Sequence, residues 1–189
     1  MYSALSSIVA FFSLLSIVTA TAVIKRAPEI EERAGRTFIG YNGFNGTPRP
    51  PQASGGGELG AVFYVADAVD LAKLFAHGAD PSKDFICLIH ADSTEWARIP
   101  KAWVPQRILS QGGNAVNAFS PGTVVFAPHT NAGLPAGSPA HVYQLGVRQA
   151  QISRLQLTAD CKPKATFAKD HSTLNYPSLD KAWNIQHPA

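Results

Sequence analysis

Short apolar runs of strand character alternate along this chain with stretches in which glycine, proline and serine break every period. Past an apolar N-terminal run, the first clear element is Thr37–Tyr41, TFIGY, whose β-branched and aromatic side chains predict a strand. Residues 43–60, GFNGTPRPPQASGGGELG, carry neither strand nor helix periodicity and predict a long irregular loop. Ordered loops of that length usually have a function. Ala61–Ala66, AVFYVA, predicts the next strand. Asp67 then reads as a helix N-cap, with Asp70 at the third helical position and Gly78 just past the end. Val69, Leu71, Leu74 and Phe75 form the apolar face of that helix. Asp84–Ala91, DFICLIHA, is a continuous apolar run and reads as a central strand. A short helix is predicted over 102–112, a strand over 122–127 and a Gly/Pro loop over 129–139. Two further strands follow over 141–148 and 154–160, joined by a turn at 149–153. The tail 162–189, with Pro163, Pro177 and Pro188, is expected to pack loosely on the core. Few helices and many short strands predict an α+β fold with mostly antiparallel pairing, as two sheets around a cleft.

The N-terminal run changes the picture of where the protein works. Residues 1–22 carry no charge and end in Ala20-Thr21-Ala22, the small residues that precede signal-peptidase cleavage. The run is short for a membrane span and interrupted by serines, so it reads as a secretory signal peptide cut after Ala22. Lys25-Arg26 is a candidate dibasic processing site, which makes 23–35 a short pro-segment or disordered lead-in. Residues 36–161 are then the folded domain, long enough for a real core, followed by the tail 162–189. The mature protein is expected to be secreted, extracellular and monomeric, with no membrane segment.

Charge and cysteines narrow the chemistry further. The net charge is +3 and the basic residues are scattered, which excludes a nucleic-acid patch. Cys87 and Cys161 form an even pair, read as one disulfide in an oxidising compartment; two buried thiols on adjacent strands are the alternative. A bridge closing about 75 residues would contribute roughly 2–5 kcal/mol. Asn45-Gly46-Thr47 is a glycosylation sequon in the predicted loop, and so expected to be accessible. The six histidines show no metal-ligand spacing, so no metal site is expected.

FIGYNG followed by GELGAVFYVADAVDLAKLFA resembles the ADP-ribosyltransferase fold. The likeness is to the class with a His–Tyr–Glu triad, shared by the exotoxin A and diphtheria toxin enzymes and the poly(ADP-ribose) polymerases. It covers residues 37–78 well and the C-terminal strands only vaguely. The resemblance implies a cleft for NAD. Gly43 falls where the family's backbone holds the nicotinamide amide, Tyr64 where a tyrosine stacks on the ring, and Phe75 where a second aromatic faces it. The triad positions fall at Asn42, Tyr64 and Gln144. Two of these depart from the family: Asn42 stands for the histidine, and Gln144 for the glutamate that stabilises positive charge as nicotinamide leaves. No Asp or Glu occurs between residues 96 and 160 to replace it. Removing one preorganised electrostatic group lowers rates by about 10²–10³.

Three functional readings follow. The first is a secreted effector or virulence-type protein, of fungal type, that reuses the scaffold in catalytically degenerate form to bind or inhibit a host protein, for instance a hydrolase. Loop 43–60 or segment 128–139 would supply its contact surface. The second is an active toxin-like mono-ADP-ribosyltransferase using NAD as its cofactor. The third is an unrelated small secreted β-rich protein.

Overall fold

In the computed structural model, which describes residues 35–129 and 133–189, strand β1 runs Arg36–Asn45. It continues through Asn42-Gly43, where a loop was expected. The cause is its partner, β4 (Asp84–Asp92): Asn42 pairs with Cys87, Gly43 with Ile86 and Phe44 with Phe85. A full ladder on one side outweighs the weak strand preference of Asn and Gly. The predicted loop also holds a second strand, β2 (Ser54–Gly57), paired antiparallel with β3 (Gly60–Ala66). The expected signal peptide with its cut at Ala22, the Lys25-Arg26 site and part of segment 128–139 lie outside the described residues.

Helix α1 spans Val69–Phe75 and stops before Gly78. Its N-cap residue is Ala68; Asp67 does not cap it. The Asp67 carboxylate turns inward instead, where it accepts from the Tyr143 N–H at 2.8 Å. Helix α2 (Ser93–Arg98) is capped by Asp92, whose Oδ1 accepts from the Glu95 N–H. The helix expected over 102–112 is divided between β5 (Lys101–Trp103) and the single turn α3 (Gln106–Leu109). β6 (Val124–His129) and β7 (Val142–Val147) follow. The turn expected at 149–153 is a helix, α4 (Gln149–Arg154), and the last long strand, β8, begins only at Thr158 and ends at Pro163. Gln151 closes the start of α4 by accepting from the Arg148 N–H, a contact that periodicity does not report.

The strands make one nine-stranded, mostly antiparallel sheet rather than two. Its order is β8-β4-β1-β3-β7-β6-β5-β9, with β9 at Ile185–Gln186 and β2 attached to β3. The sheet is narrow in the middle: β1 and β3 share the single registered pair Tyr41↔Ala66. Gly40 lies beside it at φ +138°, at a bulge in the β1–β4 ladder. A Cβ there would stand 2.4 Å from the Ala66 oxygen and 2.5 Å from the Tyr176 hydroxyl.

The tail is not loose. Tyr176 is fully buried and donates to the Ile39 oxygen at 2.8 Å. Trp183, in α5 (Asp180–Trp183), packs edge-on against Trp96 with centroids 5.0 Å apart. Asp70 of α1 holds the tail from the other side, accepting from Lys73 at 2.9 Å and pairing with His171 at 2.7 Å. Burial would push this carboxyl up, but hydrogen bonds from His171 and Lys73 hold it below its ordinary range. Cys87 and Cys161 are bonded, joining β4 to the edge strand β8 at directly paired positions. Among the described residues, no helix is long and apolar enough to cross a membrane.

Candidate functional site

The narrow join between β1 and β3 creates a space. Beside Tyr41 and Ala66 lies a cleft of about 570 Å³, walled by the second half of β1, the β2–β3 turn, β3 and α1. Asn42, Tyr64 and Gln144, far apart in sequence, all line it, as do Gly43 and Phe75.

Each of these side chains also serves the fold. Asn42 donates from Nδ2 to the Tyr64 oxygen at 2.9 Å, tying β1 to β3 where the ladder has ended. Its donor is therefore already engaged. Gly43 faces α1 so closely that a Cβ would stand 1.8 Å from the Ala72 carbonyl oxygen. The Tyr64 hydroxyl accepts from the N–H groups of Leu59 and Gly60, both at 3.1 Å, and donates to the Gly60 oxygen. It thereby pins the β2–β3 turn, and burial pushes its pKa above the ordinary phenol value.

Phe75 and Gln144 differ from the other three. The helix pattern places Phe75 among core residues, yet its side chain is 47 % exposed, the one large hydrophobic so exposed among the described residues. It meets only the edge of His129 among aromatic neighbours, with centroids 5.6 Å apart. Gln144 is the reverse, a polar side chain only 2 % exposed, in register between Ala66 and Ala127. Its Nε2 donates to Glu58 Oε2 at 3.1 Å.

Glu58 is the residue that sequence reasoning missed. The region around Gln144 holds no acid in sequence, but the β2–β3 turn brings one to it across 86 residues. The available signal was a lone charge inside GGGELG, immediately before an aromatic strand. Among the residues lining the cleft, Glu58 is the single carboxylate, and neither Lys nor Arg is present.

Residues 57–187 match the model of a family of unknown function, DUF5910. The chain belongs to the DUF5910 family. No curated protein and no solved structure matches it. The DUF5910 match takes in Glu58, Tyr64, Phe75 and Gln144 and begins after Asn42 and Gly43. The cleft thus combines a family segment with one strand that precedes it.

Two further expected sites remain. Asn45 ends β1 with Nδ2 donating to the Asp80 oxygen at 3.0 Å and to Asp84 Oδ1 at 2.8 Å. The sequon asparagine is therefore exposed as a residue but held at its amide. Among the described residues, no group of three or more His, Cys, Asp or Glu side chains is placed to hold a metal ion.

Proposed function

We propose that this protein is a secreted, effector-type protein that keeps an ADP-ribosyltransferase-like cleft in catalytically degenerate form and acts by binding a host protein. The observation that carries the reading is the meeting of Asn42, Tyr64 and Gln144 in one cleft. The resemblance asks for that meeting, and local sequence does not require it. Loss of chemistry is supported by the same residues. Gln144 is neutral where a carboxylate would stabilise a departing-group cation, and the Asn42 donor is spent on the Tyr64 carbonyl. The lining also offers no Lys or Arg to a diphosphate.

A second reading, an active NAD-dependent enzyme, is favoured by one contact: the Glu58 carboxylate bonded to Gln144. Nicotinamide release from NAD separates the two. The wild-type chain is expected to release none, while Gln144→Glu or Asn42→His/Gln144→Glu gains release. Release by wild type that is abolished in Tyr64→Ala establishes the enzyme. Absence of release from every variant leaves the cleft without support as a lapsed NAD site.

A further inference from the structure

The charge of the cleft departs from what a nucleotide needs. Its lining contains one carboxylate, Glu58, and no Lys or Arg. Among the described residues no cation pairs with Glu58; its partner is the neutral amide of Gln144. Gln144 is buried, so this contact fixes the carboxylate from a rigid strand rather than from another mobile side chain. Two aromatic side chains, Tyr64 and Phe75, line the same space, and Phe75 is half exposed with no core role to explain it. An aromatic wall beside an unneutralised carboxylate attracts a flat cation through the ring quadrupole and through charge. The same field repels phosphate.

We infer that this cleft is a binding site for a flat aromatic cation of the N-alkylpyridinium class, and that Glu58 determines its selectivity for positive charge. The inference rests on the cleft described above and not on its likeness to a transferase. A nucleotide enters only if its cationic ring outweighs its diphosphate. Gln144 is the positioning residue: it holds Glu58 toward the rings. Phe75 supplies a wall.

The test is calorimetric titration of the purified protein with 1-methylnicotinamide, a cation, and with nicotinamide, its neutral relative, with NAD as a third titrant. The cation is expected to bind about tenfold more tightly than the neutral ring, a typical cation–π and carboxylate contribution at a half-exposed site. Glu58→Gln keeps the shape and the turn, and is expected to abolish that preference without weakening nicotinamide. Phe75→Ala is expected to weaken both. Equal affinity for the two rings, a preference that survives in Glu58→Gln, or no binding of 1-methylnicotinamide at millimolar concentration would overturn the inference. Cation binding without NAD binding upholds it while removing NAD from the proposed function. NAD binding that Glu58→Gln leaves unchanged, with no cation preference, does the opposite.

Discussion

Gly43 and Ala72 are so close that a Cβ on residue 43 would lie 1.8 Å from the Ala72 carbonyl oxygen and 2.9 Å from the Ala76 nitrogen. Both are backbone atoms of α1 and its C-cap, so no side-chain rotation relieves the clash. The contact gives Gly43 a structural reason to be glycine: it lets the helix lie directly on β1. Gly43→Ala is expected to lower stability by about 3 kcal/mol, an overpacking cost, read as a fall in the urea midpoint. Gly55→Ala, where nothing lies within 4 Å, is the control. A Gly43→Ala midpoint equal to that of Gly55→Ala would remove close helix packing as the reason.

Unbroken apolar runs were the most legible elements. The strands read at Ala61–Ala66 and Asp84–Ala91 appear as Gly60–Ala66 and Asp84–Asp92. Burial on both faces of a central strand leaves a signal in composition alone. The second half of β1 and the whole of β2 were not legible, because β4 and β3 supply their pairing and local propensity opposes it. The tail failed for a different reason: its prolines mask Tyr176 and Trp183, whose burial depends on partners more than 80 residues away in sequence, as the Trp96–Trp183 contact shows. In the cleft, Asn42, Tyr64 and Gln144 could be placed by motif. Glu58 could not, since its approach to Gln144 exists only because β3 pairs with β7.

Leu71 and Phe75 lie one helical turn apart on α1 and both line the cleft, but burial separates them. Leu71 is fully buried and Phe75 half exposed. Leu71→Ala is expected to cost about 2–5 kcal/mol through the cavity it leaves. Phe75→Ala is expected to cost less than about 1 kcal/mol. Thermal and urea unfolding of the two variants check this. Equal losses would return Phe75 to the core and remove it as a cleft wall.

Asp67 makes stability depend on pH. It is fully buried, and burial pushes its pKa up from 3.8 to about 7, against hydrogen bonds from the Tyr143 N–H and Thr173. The folded state therefore holds this proton at pH values where the unfolded chain has released it. Stability from this group is full below about pH 4 and is lost as pH rises through about 7, on the order of a few kcal/mol. Asp67→Asn keeps an oxygen for the Tyr143 N–H and never ionises. It is expected to flatten the stability profile across this window and to be more stable than wild type at pH 8. Urea midpoints measured across that range decide it, and an unchanged slope in Asp67→Asn places the pH dependence elsewhere.

Asn45 presents a sequon whose amide is already committed. Both Nδ2 hydrogens are used, on the Asp80 oxygen and on Asp84 Oδ1, and a glycan would replace one of them. Asp84 is itself buried, so the lost contact leaves an acceptor with less compensation, at about 1–3 kcal/mol. Intact-mass measurement of protein secreted from a glycosylating host is expected to show Asn45 unmodified. A fully occupied site with unchanged stability would mean that these two bonds contribute little.

The Cys87–Cys161 bond fastens an edge. β8 pairs only with β4, and the two cysteines face each other in that ladder, 74 residues apart in sequence. Cys87 is buried while Cys161 is partly exposed, so reductant reaches the bond from the β8 side. Removing the cross-link in a Cys87→Ser/Cys161→Ser variant frees a long loop in the unfolded chain and is expected to cost roughly 4 kcal/mol globally. The loss should also be uneven. Hydrogen exchange in the variant is expected to rise first at Ala159 and Lys162, which have no partner beyond β4, and last at Val65 and Leu145 in the interior of the sheet. A uniform rise at both places would mean that the bond acts through the unfolded chain alone and that β8 is held by its own ladder.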